Sequence, residues 1–196
     1  MSFFNVQNFQ AQVLGRGLAK TNRFEVFIQT PASLRLNRES SNESFTPIGR
    51  LLALSPISDQ AEVSLLCEQA AFPFLNIQTK PYRIYGPTYP RPVVSDYGGE
   101  GVALTFHLDR SMKVKTFFDN WMQTTVAESS YNVRYKQDYA TTVEIKQLDE
   151  IDNITYQIVL EDAFPRSMNL VELNQAAQNQ THRLTVLFAY RNWSRR

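Results

Sequence analysis

The chain has 196 residues, and 20 Lys and Arg against 19 Asp and Glu give a formal net charge of +1. This length can bury a good core without disulfides, and the balanced charge gives no support for a nucleic-acid binder or an electrostatic membrane binder. The single cysteine, Cys67, excludes an intrachain disulfide and a cysteine-rich metal site, and its apolar neighbours predict a buried thiol. No apolar run approaches the length of a membrane span.

The first part of the chain predicts an arm, a strand and a long insertion. Residues 1–22 are polar and mixed, without a persistent hydrophobic period, and we expect them to become ordered against a neighbouring molecule. Residues 23–30 alternate between apolar and polar side chains, which indicates a strand, and Pro31 ends it. The insertion 32–61 follows. Loops of this length are commonly functional or held by another surface.

A second predicted strand, residues 62–71, leads into a stretch rich in Tyr, Arg and Pro at residues 80–94. Its prolines keep this stretch away from the centre of a sheet, and its tyrosines offer a large amphipathic contact area. The stretch is therefore either an intersubunit arm or a stiff cover over the domain's own core. The candidate contact residues of the arm are Tyr82, Arg83, Tyr85, Tyr89 and Arg91.

The middle of the chain predicts a strand that passes through a short turn into a helix. Residues 102–108 alternate as a half-buried strand does, and from about Met112 to Val126 the apolar residues recur at steps of three and four. This is the only strong helical pattern in the sequence. Asp109 or Ser111 can accept hydrogen bonds from the free N–H groups that open the helix. The side chains predicted to pack the helix onto a sheet are Val114, Phe117, Phe118 and Trp121.

The last third of the chain predicts further strands with an uneven distribution of charge. The strands are expected at residues 131–135, 140–148, 154–160 and 182–190. Glu144 and Lys146 share one strand face and are candidates for a channel wall or a seam between subunits. Residues 138–162 hold seven acids and one lysine, and residues 163–196 hold five arginines and one acid. The two pools can neutralise each other within one molecule or between copies.

The sequence carries no catalytic or metal-binding motif. Nucleophile-elbow, zinc-protease and Gly-rich phosphate patterns are absent, and the acidic turn 148–153 lacks the EF-hand spacing. His107 and His182 lie in separate predicted strands, which is typical of structural histidines. We therefore predict no enzymatic activity, no metal and no cofactor. A carboxylate pair that forms only in space stays open.

The order of five segments resembles the tail tube proteins of contractile-tailed phages, which share a fold with the ring protein of type VI secretion tubes. The segments are NRFEVFI, CEQAAFP, YRIYGPTYPRP, GVALTFHLDRSMKVKTFFDNW and FAYRNW. The resemblance covers most of residues 20–193. Its most specific parts are the strand-to-helix unit that contains Trp121 and the closing strand with Tyr190 and Trp193.

This resemblance implies a mainly β fold, an antiparallel β-barrel or sandwich flanked by one amphipathic helix. It divides the chain into an N-terminal arm, 1–22, and one domain, 23–196, with the insertion 32–61. It also implies a structural virion protein whose hexameric rings stack into the tail tube, through which DNA passes during ejection. The implied partners are further copies, the tail sheath, and the baseplate and tail-terminator proteins. Assembly is expected in the host cytoplasm.

Other functions stay open beside the repeating tube subunit. The insertion 32–61 and the extended N-terminus depart from the shortest family members and leave room for a baseplate tube initiator. A β-barrel ligand-binding or enzymatic domain would need a pocket with converging carboxylates and His107 or His182. A monomeric adaptor would bind another protein through the Tyr-rich arm.

Overall fold

The computed structural model of the chain describes residues 5–32, 34, 63–96, 101–126, 131–175 and 180–196. The helices are α1 (Val6–Arg16), α2 (Lys113–Thr125) and α3 (Lys136–Tyr139). The strands are β1 (Phe24–Ile28), β2 (Cys67–Ala70), β3 (Asn76–Tyr82), β4 (Tyr89–Asp96), β5 (Val102–His107), β6 (Thr141–Leu148), β7 (Ile154–Met168), β8 (Arg183–Ala189) and β9 (Asn192–Arg195). The predicted mainly β architecture with antiparallel sheets is confirmed.

One antiparallel sheet follows the strand order β1-β6-β7-β8-β5-β2, with β9 paired to β7, while β3 and β4 form a separate hairpin. The first part of β7 pairs with β6 and β9, and its last part pairs with β8. Between these parts Asp162 has a φ of 56°, an unusual value for a residue other than glycine, at the place where the pairing of β7 passes from β6 and β9 to β8. The two halves of the sheet consequently bury their apolar faces in one common core.

Alternation along the central strands determines what that core contains. On β5 the burial pattern has period two, and Leu104 and Phe106 are fully buried while Thr105 between them is not. β8 runs antiparallel to β5 and buries Val186 and Phe188 from the same side. Because successive strand residues point to opposite faces, each strand gives one face to the core and one to the outside.

Helix α2 closes one side of the core and begins at a local cap. The Asp109 carboxylate accepts a hydrogen bond from the backbone N–H of Lys113 at 2.9 Å, and it also accepts the Ser111 hydroxyl. Of the two predicted capping side chains, Asp109 is therefore the acceptor and Ser111 its donor. Met112, the residue just before the helix, has a left-handed backbone conformation with a φ of 55°.

The structure corrects several predicted boundaries. Residues 6–16 form helix α1 although no apolar period marks them, because Gln, Ala, Leu and Arg favour helix by themselves, and Gly17 with a φ of 70° follows its last residue. The strand predicted for residues 62–71 is limited to β2, since residues 63–65 form a helical turn. The strand predicted for residues 131–135 is a single bridge between Val126 and Val133.

The largest correction concerns β7, which was predicted to end at Leu160 but continues to Met168. Pro165 lies within the strand, and the pairing register with β8 shifts between Pro165 and Ser167. Such an irregularity accommodates a residue without a backbone N–H. Pairing of the last part of β7 with β8 therefore continues the strand past the residues that were predicted to end it.

Candidate assembly surfaces

The side chains predicted to pack α2 onto the sheet lie against the aromatic part of the core. Val114, Phe118 and Trp121 are buried, and Phe117 is half-buried beside them. The Phe118 ring lies 5.2 Å from that of Phe106, centroid to centroid. These residues support the scaffold and do not themselves form an exposed surface.

The predicted Tyr-rich arm is the β3–β4 hairpin, and residues 76–95 are exposed along both strands. A hairpin that is exposed on both faces does not cover the domain's own core, so that interpretation of the arm is wrong. Among the described residues, the hairpin therefore has no packed face. Two strands without a packed face are only marginally stable in water.

The candidate residues of the arm form a small aromatic and cationic array. The rings of Tyr82 and Tyr89 meet edge to face at 5.6 Å, and the Arg91 guanidinium lies 5.5 Å from the Tyr82 ring centroid. Tyr85 lies at the tip, 92% exposed, and Arg83 is exposed beside it. Such a combination of Tyr and Arg is typical of interface residues that contribute strongly to binding.

Glu144 and Lys146 belong to a polar ladder on the outer face of β1, β6 and β7. Lys146 Nζ lies 3.3 Å from Glu25 Oε2 on β1 and 3.9 Å from Glu144 Oε2 on its own strand. The Gln157 amide on β7 donates to Glu144 Oε2 at 3.2 Å. Two carboxylates thus share one ammonium, and the ladder keeps a charge of about −1 per copy.

The acidic and basic pools meet within one chain at Arg191, and Lys136, which lies outside both pools, adds a further cation there. Arg191 contacts Glu161 at 3.2 Å and Asp162 at 2.7 Å, where the pairing of β7 changes partner. Lys136 also contacts Asp162, at 2.6 Å. Neutralisation within one molecule therefore accounts for part of the charge segregation, although exposed pairs of this kind contribute little stability.

The arrangement offers no converging set of catalytic side chains in the described residues. A recess of about 250 Å³ near the start of β6 holds Asp162 as its only ionisable lining residue. His107 lies elsewhere, with its Nε2 3.5 Å from Glu68 Oε2, and Arg183 contacts the same carboxylate at 2.9 Å. Across the described ranges no group of three His, Cys, Asp or Glu side chains is placed to hold a metal ion.

Comparison with known proteins agrees with this architecture. The family model for the phage tail tube protein matches residues 19–196. The chain belongs to the phage tail tube protein family. The expected family is confirmed, and this family member is a structural tube protein and not an enzyme. No curated protein matches the chain.

Three solved structures of other proteins share the fold of this tail tube family member. A chain of the PVC sheath-tube complex of an extracellular contractile injection system is 11% identical with a TM-score of 0.58, covering 95% of this chain and 96% of that one. A chain of the anti-feeding prophage baseplate is 13% identical with a TM-score of 0.57, at 91% and 95% coverage. A chain of the anti-feeding prophage tube-terminating cap is 13% identical with a TM-score of 0.56, at 91% coverage of both.

Two structural features of this tail tube protein were not predicted from the sequence. Lys80 lies on the arm opposite Arg91, and a cross-strand pair becomes visible only with the hairpin register. Gly101 lies against the backbone of Phe188, a contact from a distant part of the chain. The predicted insertion 32–61 lies outside the described residues except for positions 32 and 34, so its predicted role in docking stays a prediction. Among the helices that the structure describes, none is long and apolar enough to cross a membrane.

Proposed function

We propose that the chain is the repeating subunit of a tail tube, in which six copies form a ring and the rings stack around a channel for DNA. One observation carries this proposal beyond family membership. The strands β1 and β2 lie at the two ends of the sheet order and pair on one side only within the described strands. An open sheet edge is a template for pairing with another chain, and closure into a barrel removes it.

The free groups on the β1 edge follow from its register. Leu148 donates to the Arg23 carbonyl and Gln29 donates to the Thr142 carbonyl, so the odd-numbered residues of β1 bond to β6. In an antiparallel pair the intervening residues point their N–H and C=O groups the other way. Phe24, Val26 and Ile28 therefore offer their backbone groups to a neighbouring copy.

The outer face with Glu25, Glu144 and Lys146 forms part of the channel wall in this proposal. Its support is the residual negative charge of the ladder, which repels the phosphate backbone of passing DNA. The same three side chains at a seam between subunits are the alternative. Salt is expected to affect assembly in opposite directions for the two positions, and charge-reversal variants of the ladder distinguish them.

The arm, residues 76–96, and the N-terminal helix α1 make contacts between copies. Both expose apolar side chains, including Tyr85 on the arm and Val6 and Phe9 on α1. The tail sheath contacts the outside of the tube, and baseplate and terminator proteins cover its two ends. The fold similarity to chains of sheath-tube, baseplate and cap particles supports these partners. The assembled protein is then part of the virion, after assembly in the host cytoplasm.

The decisive experiment is imaging of the purified protein by negative-stain electron microscopy, with light scattering to follow its size. Six-fold rings that stack into tubes are expected. A folded protein that stays monomeric at all concentrations would contradict the proposal. It would favour the monomeric adaptor.

A pair of variants at Phe24 tests the edge directly. Phe24→Pro removes one outward N–H at the first residue of β1, a position where proline is tolerated, and it leaves the ladder to β6 intact. Phe24→Ala removes the same ring and keeps the N–H. Rings are expected from Phe24→Ala and fewer or unstable rings from Phe24→Pro. Equal ring formation by both variants would exclude this edge from the subunit contact.

A baseplate tube initiator of the same fold is the second candidate. Its support is the fold similarity to a chain of a baseplate particle, at 13% identity and a TM-score of 0.57. An initiator forms a ring but does not polymerise by itself. Rings that never elongate at high protein concentration, and that seed growth of a separate tube protein, would favour this candidate over the repeating subunit.

A further inference from the structure

One face of the arm places two positive charges directly opposite each other. Lys80 on β3 is the cross-strand partner of Arg91 on β4, and Tyr82 is the partner of Tyr89 two residues further along. Because strand side chains alternate, these four residues share one face of the hairpin. The contact of the Arg91 guanidinium with the Tyr82 ring holds one cation in place on this face.

This face has an excess of positive charge that its own segment does not balance. The arm, residues 76–96, contains Lys80, Arg83 and Arg91 against one acid, Asp96, which is the strand partner of Asn76 at the base of the hairpin. Among the ion pairs of the described residues none involves these three cations. Like charges directly opposite each other destabilise a strand pair, and the exposed hairpin has no packed face to offset that cost. An acidic partner removes the repulsion.

We propose that this face of the arm binds the acidic β6–β7 turn, residues 149–153, of a neighbouring copy in the same ring. The inference rests on the proposed function, because it names the surface that the intersubunit arm contacts. The turn has the complementary chemistry, with Asp149, Glu150 and Asp152 in four consecutive positions. Ile151 among them is 79% exposed and gives the tyrosines of the arm an apolar contact.

The carboxylates of the turn keep acceptor capacity for an incoming cation. Glu150 contacts Lys20 at 2.6 Å and Asp152 contacts Arg23 at 3.1 Å, yet these acidic side chains are 64% and 71% exposed. Asp149 is exposed and contacts no cation in the described part of the chain. A carboxylate has about four lone-pair sites, so a second cation can join each pair.

The position of the arm on the barrel favours a contact within a ring. The Phe72 ring, just before the arm, meets the Tyr156 ring edge to face at 5.4 Å. Tyr156 lies near the start of β7, so the arm leaves the barrel at the end where the turn lies. Rotation about a ring axis brings the turn of the next copy to the same level, as a closed head-to-tail contact requires. The seven residues of β3 span roughly 23 Å, which is enough to reach beyond the parent barrel.

A charge exchange tests the contact. Lys80→Glu and Asp149→Lys are each expected to raise the protein concentration needed for ring formation about tenfold, since each puts like charges together. The variant that carries both changes is expected to assemble like the parent. An equal mixture of the two single variants should also recover, because each copy then finds an opposite charge on its neighbour.

The matched control reverses a half-buried pair that has no part in the proposed contact. Lys115 and Asp119 on α2 form an i,i+4 pair at 2.6 Å, and Lys115→Glu with Asp119→Lys leaves the net charge unchanged. Unaltered assembly is expected from this control. If Lys80→Glu assembles like the parent, or if the combined exchange fails to recover, the inference is wrong while the proposed function stands. If the parent itself forms no rings, the proposed function fails.

Duplex DNA is the competing acidic ligand, and a mobility-shift assay with the same variants separates it. Loss of DNA binding by Lys80→Glu without any change in ring formation would overturn the inference. Proximity is measured by mixing Lys80→Cys with Asp149→Cys and adding a short bismaleimide. A cross-linked dimer is expected only in this mixture and not with Gln123→Cys in place of Asp149→Cys, and its absence would contradict the contact.

Discussion

Trp121 on α2 donates its indole N–H to the backbone carbonyl oxygen of Tyr139, the last residue of α3, at 2.8 Å. The indole is fully buried, so its one polar atom is satisfied inside the core. The same ring meets Phe188 of β8 edge to face at 5.9 Å. A single side chain therefore fixes the helix both to the sheet and to the segment that leads into β6.

Truncation of Trp121 is expected to destabilise the fold strongly. Trp121→Ala should lower the free energy of unfolding by about 3–5 kcal/mol, as large aromatic truncations in cores do. Gln123→Ala, at an exposed position of the same helix, should leave it nearly unchanged. Urea unfolding of both variants in the same assembly state measures the difference. A Trp121→Ala protein with the stability of the parent would show that the helix does not depend on this contact.

Gly101 is expected to tolerate no side chain. Its φ is 97°, and a Cβ there would lie 2.3 Å from the carbonyl oxygen of Phe188. Gly101→Ala should therefore lower the free energy of unfolding by roughly 2 kcal/mol or more. Gly86 also has a positive φ but no neighbouring atom in the way of a Cβ, so Gly86→Ala measures the cost of backbone strain alone. Gly15 has neither a positive φ nor a close neighbour, so Gly15→Ala is the control for both effects. Equal stability of the three variants would contradict the close approach.

The Cys67 thiol is expected to be inert in the folded protein. Burial raises its pKa from 9.0 to about 12, outweighing a backbone hydrogen bond with Gln69 that lowers it. The thiolate fraction at pH 8 is then about a thousandfold smaller than for an ordinary cysteine. Iodoacetamide labelling followed by mass spectrometry should be slow in the native state and fast in urea. Rapid native labelling would show that the thiol is accessible and ionised.

The cap at Asp109 predicts a pH dependence with a definite sign. The hydrogen bond from the Ser111 hydroxyl, aided by backbone N–H groups, lowers the pKa of Asp109 from 3.8. A lowered folded-state pKa stabilises the fold above pH 3.8, and this contribution is lost as the pH falls through the lowered value. Urea midpoints between pH 2 and 5 should show a steeper acid loss for the parent than for Asp109→Asn, which keeps a capping side chain that does not titrate. Identical slopes would contradict the cap.

Reversal of the charges in the polar ladder distinguishes a position on the channel wall from a position at a seam between subunits. The triple variant Glu25→Lys, Glu144→Lys and Lys146→Glu keeps the internal pairing and changes its charge from about −1 to about +1. If the ladder lines the channel, tubes of this variant should form and retain DNA in a salt-dependent manner. Around 1 M salt, where the Debye length is about 3 Å, parent assembly should strengthen because the carboxylates no longer repel one another.

The same experiment has a distinct outcome for a seam. Pairs between subunits are screened by salt, so parent assembly would weaken near 1 M. A triple variant that assembles and releases DNA as the parent does at every salt concentration would exclude both positions. Purified tubes, sedimentation and a DNA retention assay provide the measurements.

Patterns of local origin allowed much of the fold to be predicted. The alternation of β5 and β8 and the three-and-four spacing of α2 express the geometry of one strand or one helix, so they are visible in a short window. The order of the segments similarly indicated the family, whereas Cys67, predicted to be buried from its apolar neighbours, is half-buried. The helix at residues 6–16 was not predicted, because a helix on the surface does not need a periodic apolar face.

Tertiary structure alone decided which distant residues meet. The continuation of β7 past Pro165 depends on pairing with β8, and the need for glycine at position 101 depends on Phe188. The pairing of Lys80 with Arg91 and of Lys146 with Glu25 depends on hairpin and sheet register. A sequence fixes which face each side chain takes on its own strand, whereas register is set by the competition of whole strands for one core.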